Sequence, residues 1–234
     1  TAALFRNNDS AVVLVDMLER NNIPYRLKGG EKTFFTSRPV LDITEIIRFI
    51  NNPYDIDSFM AIYYKIGLYI TKQTAEAACK ISSQKHITIT DALLGIDTGT
   101  QISVNSKRNI KQTAQLMRQA QSSSATEVLS IILHGMQYAD YAHKNGLDEN
   151  KYDILRMLAR NVNSSAELID RLSELSGIMA EHKDDPYSKF TLSTVHSSKG
   201  LEYDCVYLLD VIDNVLPCIT KDKLNDKEDI KQYE

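Results

Sequence analysis

Apolar residues near the start of the chain follow the pattern of a strand, a helix and a second strand. Residues 2–5 form a short apolar run, and Asp9 or Ser10 stands where the cap of a following helix is expected. Apolar positions then recur at the i, i+4 spacing of a buried helical stripe. A second strand is predicted at residues 25–27, followed by a helix over residues 36–52. This alternation is typical of an α/β fold.

The middle of the chain shows helical periodicity and no strand pattern. Six helices are predicted there, separated by polar or glycine-containing segments: residues 55–65, 71–83, 105–121, 124–144, 150–161 and 164–182. Strand patterns return at residues 190–195 and 204–210. The second of these contains an unbroken apolar run, which is typical of a strand buried on both faces of a parallel sheet.

The two ends of the chain each contain too few strands for an independent sheet, but together they supply four. We therefore predict one discontinuous α/β domain, formed by residues 1–65 and 188–234, with all four strands in one largely parallel sheet. An all-helical insertion over residues 66–187 interrupts it. Because Thr1 directly precedes a core strand and Glu234 ends a polar segment, we expect the sequence to be part of a longer protein.

Composition narrows the class of protein. The chain has 234 residues, of which 43% are hydrophobic and 25% charged, as in ordinary globular proteins. No apolar run approaches the roughly 20 residues of a membrane span. The three cysteines form no CxxC pair and the histidines do not have the spacing of metal ligands, so we predict that the protein binds no metal. The sequence has no secretory signal pattern, and we therefore predict a cytoplasmic protein. The net charge of −4 argues against a broad basic surface that binds nucleic acid by itself.

Residues 194–203 (TVHSSKGLEY) contain the highest concentration of candidate functional side chains in the sequence. They end the third predicted strand with hydroxyl groups, a histidine and a lysine beside a glycine. Ligands of α/β sheets bind at the carboxyl ends of the strands, and hydroxyl and backbone N–H groups can hold phosphate oxygens there. A phosphate-binding turn is one interpretation, and a glycine-containing turn with a solvated lysine is the other.

This segment resembles motif V of the superfamily 1 helicases of the UvrD/Rep/PcrA type, which runs Thr-x-His-x-x-Lys-Gly-Leu-Glu-aromatic. Residues 4–7 (LFRN) resemble motif IV of that family, a strand that ends in aromatic-Arg. Residues 23–38, which contain Gly29-Gly30 and Arg38, resemble the segment that follows motif IV. The three segments occur in the family's order and at about its spacing. The resemblance implies an incomplete RecA-like motor domain, 2A, for the ends of the chain and a 2B-like domain for the insertion.

The resemblance also implies ATP with Mg²⁺ as the cofactor of the complete enzyme, with the Mg²⁺ ligands outside this chain. Phe5 would stack on the adenine, and Arg6, the catalytic residue, would present a bidentate positive fork to the γ-phosphate. Gly200 and Glu202 would complete the cofactor-binding set, with Glu202 accepting hydrogen bonds from the ribose. The alternatives are a core position for Phe5, an ion pair between Arg6 and Asp9, and a capping role for Glu202.

Further residues are implied in DNA binding. Thr194 and His196 would contact the phosphate backbone of single-stranded DNA with support from Lys199, and Arg38 would add a contact. The resemblance implies three partners: single-stranded DNA, junction DNA and an N-terminal RecA-like domain of the same protein. It implies no contact with a membrane. The alternative for His196 is a structural role. Residues 39–42 (PVLD) depart from the family's acidic-Ile-Lys-Asp, so the lysine that faces DNA in the family is absent here.

The family's Gly-Ile-Gly hairpin, which approaches the backbone of duplex DNA, is reduced here to residues 65–67 (KIG). Duplex contact through Lys65 and Lys72 is one interpretation, but we expect both lysines to be solvated.

Motifs for phosphoryl transfer are absent from the sequence. It contains no GxxxxGK[ST] loop, no acidic pair placed like a Walker B site and no arginine-bearing motif VI, so this chain alone is predicted not to hydrolyse ATP. The predicted function is part of an ATP-dependent 3′–5′ DNA helicase or translocase. The alternatives are a non-catalytic, helicase-like structural subunit of a DNA repair or recombination complex, and a helical interaction module built on residues 66–187.

Overall fold

The computed structural model describes residues 1–28, 33–95, 104–181 and 188–211. Within these ranges the strands are β1 (Ala2–Phe5), β2 (Arg26–Lys28), β3 (Thr191–Thr194) and β4 (Val206–Leu208). They form one sheet in the order β2-β3-β1-β4, and every neighbouring pair is parallel. The predicted α/β class, and the predicted union of both ends of the chain in one parallel sheet, are confirmed.

The register of the sheet fixes which residues share an edge. Ala2 lies opposite both Thr191 and Val206, and Phe5 lies opposite Thr194. The N–H group of Val195 continues the ladder by donating to the carbonyl oxygen of Phe5 at 2.9 Å. Because all the strands are parallel, their carboxyl ends lie at one edge. The residues that follow β1 and β3 are therefore neighbours, although they come from opposite ends of the sequence.

Helix α1 (Ser10–Arg20) connects β1 to β2 and buries its apolar stripe, including Val12, Val15 and Leu18. Asp9 occupies the N-cap position as predicted, but its side chain makes no capping hydrogen bond. Among the described residues, no helix combines the length and the apolar character needed to cross a membrane. The other helices are α2 (Thr33–Thr36), α3 (Arg38–Asn51), α4 (Ile56–Ile62), α5 (Lys72–Lys85), α6 (Ile89–Gly95), α7 (Val104–Ala120), α8 (Ala125–Ser130), α9 (Tyr138–Lys144), α10 (Lys151–Ala159) and α11 (Ser165–Glu181).

The chain divides into two compact units. The α/β unit comprises Thr1–Phe34 with Leu175–Glu234, and the helical unit comprises Phe35–Glu174. The boundaries predicted from the sequence grouped residues 35–65 with the sheet, whereas α3 contacts α4, α7 and α10 of the helical unit. The assignment of the two parts to domains 2A and 2B stays a prediction.

The helix predicted over residues 124–144 is interrupted, so its predicted continuity is wrong. Helix α8 begins with a capping box between Ser124 and Glu127, and a π-helical turn (Ile131–Gly135) follows it. The next helix, α9, begins only after Gln137, whose φ angle is +61°. Apolar residues continue through this break, and the hydrophobic pattern therefore did not reveal it. Helix α6 was likewise not predicted.

Candidate functional site

The turn that follows β3 is held in shape by its own hydroxyl groups. The Thr194 hydroxyl donates to Ser197 Oγ at 2.8 Å, and Thr194 Oγ1 accepts from the Ser197 N–H at 3.0 Å. The Ser198 N–H donates to the Thr194 carbonyl at 3.0 Å, and the Ser198 hydroxyl donates to the Val195 carbonyl at 2.8 Å. Gly200, at the end of the turn, has a φ angle of +81°, which a side chain would strain. The sequence therefore builds a fixed turn at the carboxyl edge of the sheet.

This turn presents donors and positive charge. His196 and Lys199 are exposed, and the backbone N–H groups of His196 and Gly200 have no acceptor within the described part of the chain. Residues 194–201 contain no carboxylate. Free N–H groups beside a lysine form the type of concavity that binds phosphate and other anions.

Arg6 lies at the same edge, directly after β1. It is exposed, and it forms no ion pair or hydrogen bond with any residue of the described ranges. The alternative of an Arg6–Asp9 ion pair is therefore not seen, and Asp9 instead accepts from the Thr33 hydroxyl at 3.3 Å. An unpaired guanidinium beside the turn at residues 195–200 adds a second positive group for an anionic ligand.

Phe5 requires a correction. Its side chain is fully buried, with 0% of its surface exposed. Stacking on an adenine needs an open ring face, and Phe5 in this conformation offers none. The alternative stated from the sequence, a core position, describes Phe5 better.

Glu202 lies on the crossover between β3 and β4. Its side chain is exposed and has no hydrogen-bond partner among the described residues. This crossover begins at the carboxyl edge of the sheet and returns to the opposite edge. There the carbonyl oxygen of Cys205 accepts a hydrogen bond from the Ala2 N–H. The predicted ribose contact of Glu202 stays a prediction.

Arg38 is exposed, but its guanidinium contacts a buried ion pair in the helical unit that was not predicted from the sequence. Asp42 Oδ1 accepts from Arg38 Nε at 3.0 Å and from Lys65 Nζ at 2.7 Å, and Asp42 Oδ2 accepts from the Tyr138 hydroxyl at 3.0 Å. Asp42 is 3% exposed and Lys65 is 5% exposed. The i, i+4 spacing of Arg38 and Asp42 on one predicted helix was the available signal.

This cluster shifts the pKa of its neighbours. The nearby charge of Asp42 and its hydrogen bond raise the pKa of Arg38. Burial raises the pKa of Tyr138, and the charge of Asp42 adds to that effect. Burial also raises the pKa of Tyr152 to about 12. The Tyr152 hydroxyl is buried without a partner in the described ranges. Near neutral pH, Arg38 therefore stays charged, and Tyr138 and Tyr152 stay neutral.

The two tyrosines give a matched pair of substitutions. Tyr138→Phe should lower the free energy of unfolding by about 1–3 kcal/mol, since it leaves Asp42 Oδ2 buried without its donor. Tyr152→Phe should change it by less than about 0.5 kcal/mol, because the deleted hydroxyl has no partner to lose. Urea unfolding followed by circular dichroism measures both values. Equal losses in the two variants would contradict the hydrogen-bond assignment.

Lys65 also departs from expectation. A solvated lysine was predicted at this position, but Lys65 is buried against Asp42, so its ammonium is not available to solvent or to duplex DNA in this conformation. Lys72 is solvated as expected, with 72% of its side chain exposed and Glu76 3.7 Å away.

Comparison with known proteins decides the family. A family model described as "UvrD-like helicase C-terminal domain" matches residues 1–232. The chain belongs to this family. It is 23% identical over 244 residues to the ATP-dependent DNA helicase PcrA of Staphylococcus epidermidis, a match that covers 99% of this chain and 33% of that relative. The PcrA of Leuconostoc citreum is 25% identical over 237 residues, covering 92% and 31%. The chain thus spans about a third of the length of the curated relatives it matches.

In this UvrD-like C-terminal domain, the structure brings Arg6 and residues 194–200 together at one edge of the sheet. Arg38 lies in the other unit, and its guanidinium is already held by Asp42. Gly29-Gly30, part of the resemblance, lie outside the described residues. Within the described ranges, no group of three or more His, Cys, Asp and Glu side chains is arranged to hold a metal ion.

Ser197 is a further residue of this UvrD-like domain that the sequence analysis did not single out. Ser197 Oγ accepts a hydrogen bond from the Thr194 hydroxyl, so the hydroxyl hydrogen of Ser197 points away from Thr194 and can be donated to a ligand. The Ser-Ser pair between the histidine and the lysine was the only signal in the sequence.

Proposed function

We propose that this chain is part of an ATP-dependent 3′–5′ DNA helicase or translocase, with the α/β unit as a partial domain 2A and the helical unit as a 2B-like domain. The observation that carries the proposal is that Arg6 and the donor-rich turn of residues 194–200 lie at the same edge of a parallel sheet. The family match over residues 1–232 supports it, as does the similarity to PcrA, an ATP-dependent DNA helicase.

Arg6 is the group that this chain would contribute to nucleotide chemistry. A guanidinium fork suits the γ-phosphate of ATP, because charge develops on its oxygens during transfer. Glu202 would accept from the ribose, and Gly200 would let the backbone approach the cofactor. Mg²⁺, when bound, neutralises phosphate charge, and its ligands would come from another part of the protein. The residues present therefore fit one wall of an ATP site that a second RecA-like domain completes.

The turn would also hold the backbone of single-stranded DNA. His196, Lys199 and the free N–H groups can donate to phosphate oxygens. Thr194 would act mainly through Ser197, since its own proton is already donated there. Such contacts carry no base specificity, as a translocating motor requires. Closure and reopening of two motor domains during ATP turnover would shift this grip along the strand.

Binding of single-stranded DNA by this chain should be weak and salt-dependent. The net charge of −4 and the few donors predict a dissociation constant above ~10 μM at physiological salt. Lys199→Gln should reduce the salt slope by about one, whereas Lys85→Gln, an exposed lysine at the end of α5, should not change it. Fluorescence anisotropy of labelled oligothymidine over a salt series measures both. Nanomolar, salt-insensitive binding would contradict the proposed contact.

A further inference from the structure

A depression of about 330 Å³ lies on the helical unit, where the C-terminal end of α3 meets α6 and α7. Its floor is apolar and consists of residues that are at most 5% exposed: Phe49, Ile50, Ala114 and Met117. Ligand pockets usually have volumes of roughly 300–1,000 Å³. This depression is at the lower end of that range, so it suits a single apolar side chain rather than an extended cofactor.

Two hydrogen bonds fix the walls of the depression. The Gln121 side-chain amide donates to the Ile50 carbonyl at 2.8 Å, and the Ile89 N–H donates to the Pro53 carbonyl at 3.0 Å. The end of α3 is thereby joined both to the start of α6 and to the residue that follows α7. A site that is already formed in the free protein lowers the entropic cost of binding.

Helix α7 carries a concentration of positive charge beside the depression. Its 17 residues include Lys107, Arg108, Lys111 and Arg118, all exposed, but no aspartate or glutamate. Lys107, Lys111 and Arg118 recur at i, i+4 and i+11, which places them on one face of the helix. Ala114 of the floor lies on the same face, so this row of cations runs for about 17 Å along the depression.

The row of cations is available to a ligand. Within the described ranges its one ion pair joins Arg118 to Asp91 at 3.7 Å, and these side chains are 65% and 52% exposed. Exposed pairs of this kind contribute little to stability. Arg118 can therefore turn to the carboxylate of another molecule, and Lys107 and Lys111 can bind one without breaking an ion pair.

An apolar floor beside a row of cations suits an acidic peptide better than a nucleic acid. Carboxylates of a peptide can meet the cations while one of its apolar side chains covers the floor. Phe49 supplies the one aromatic ring among the described lining residues, and it is fully buried. The depression therefore offers no ring face on which a base could stack.

We propose that this face of the helical unit binds an acidic segment of a protein partner, with one apolar side chain in the depression and carboxylates on Lys107, Lys111 and Arg118. An extended chain advances about 3.3 Å per residue, so five residues cover the row. The depression lies about 18 Å along α3 from Arg38, and it is therefore distinct from the ion pair of Asp42 and Lys65. The inference does not depend on the proposed function.

Fluorescence anisotropy with a labelled heptapeptide, one leucine flanked on each side by three aspartates, tests the proposal on the 234-residue chain. Lys111→Gln and Arg118→Gln should each weaken binding about 3- to 5-fold, because each removes one exposed charge contact. Asp91→Asn should strengthen binding about 2-fold, because it removes the carboxylate that competes for Arg118. A peptide with alanine in place of leucine should bind about 10-fold more weakly.

Lys72→Gln and Glu76→Gln are matched controls, because these two residues form an exposed ion pair of the same 3.7 Å length at the start of α5. Both should leave the affinity for the peptide unchanged, and circular dichroism melting verifies that each variant is folded. Equal weakening by Lys72→Gln and Arg118→Gln would overturn the inference, since net charge alone would then explain binding. Equal affinity for the leucine and alanine peptides would also overturn it.

Heptathymidylate is the probe that separates a peptide site from a nucleic-acid site. Tighter binding of this oligonucleotide than of the peptide, with the same dependence on Lys111 and Arg118, would overturn the inference and assign the row of cations to nucleic acid. Failure of the peptide to bind would overturn this inference alone, because the proposed function is tested separately with DNA and Lys199→Gln.

Discussion

Replacing Asp42 by alanine should lower the free energy of unfolding of the helical unit by about 3–5 kcal/mol, because it leaves a buried cation without a counter-charge. Lys65 is 5% exposed, and its ammonium lies 2.7 Å from Asp42 Oδ1. Asp42→Ala leaves that charge without a counter-charge and leaves the Tyr138 hydroxyl without an acceptor. Domains are typically stable by only about 5–15 kcal/mol, so the change is a large fraction of the total.

A double variant isolates the cause. Asp42→Ala with Lys65→Met removes both buried charges, and it should recover at least half of the lost stability, because an apolar pair can replace a buried ion pair at little cost. Urea unfolding of the wild type, the two single variants and the double variant completes the cycle. Additive losses in the double variant would show that Asp42 and Lys65 do not stabilise each other.

Arg6→Ala should lower kcat for ATP hydrolysis by roughly 10²-fold or more in the complete helicase, the loss typical of a preorganised charge contact. Arg6 is exposed at the carboxyl edge and has no partner among the described residues, so its charge is free to meet the γ-phosphate. The contact strengthens as charge builds up during transfer, and the loss should therefore fall on kcat rather than KM. Steady-state ATPase assays with saturating single-stranded DNA measure it. A near-normal kcat would remove Arg6 from the catalytic site.

Phe5→Leu is the neighbouring control in the same assay. Because Phe5 is fully buried, the substitution should cost some stability and leave KM for ATP unchanged. Adenine stacking, the role implied by the resemblance, predicts a raised KM instead. The two adjacent positions, the last residue of β1 and the residue after it, thus distinguish a core role from a ligand role.

Local pattern and the order of the elements were enough to predict the sheet and the position of Arg6 and residues 194–200 at one edge of it. The order of the elements, with too few strands at either end of the chain for a sheet, predicted one parallel sheet shared by residues 2–5 and 204–210. The expected burial of the second segment on both faces is wrong, because β4 lies at the edge of the sheet and its three side chains are 47–58% exposed. Arg6 and residues 194–200 then meet because each directly follows a strand. These predictions needed only the order of the elements.

The remaining features depend on contacts between residues far apart in the sequence. The Tyr138 hydroxyl donates a hydrogen bond to Asp42, which is 96 residues away in the sequence. Hydrophobic periodicity does not reveal which side chains form hydrogen bonds over such a separation in sequence. The burial of Phe5 depends on what covers that face of the sheet rather than on its own segment, because side chains of a strand point out of the plane of the sheet. Lys65 was expected in solvent because burial of a lysine is rare unless it is paired, and the partner was not visible.

The pairing of β1 with β3 also has a consequence for the order of events during synthesis. Ala2 must find Thr191, so the first strand emerges long before its partner exists. At typical rates of about 5–20 residues per second, β1 waits roughly 10–40 s as an unpaired apolar segment. The helices of residues 35–174 make mostly local contacts and can fold during that interval, whereas the sheet closes last. A strand of only four residues limits the exposed edge that a neighbouring chain could capture while it waits.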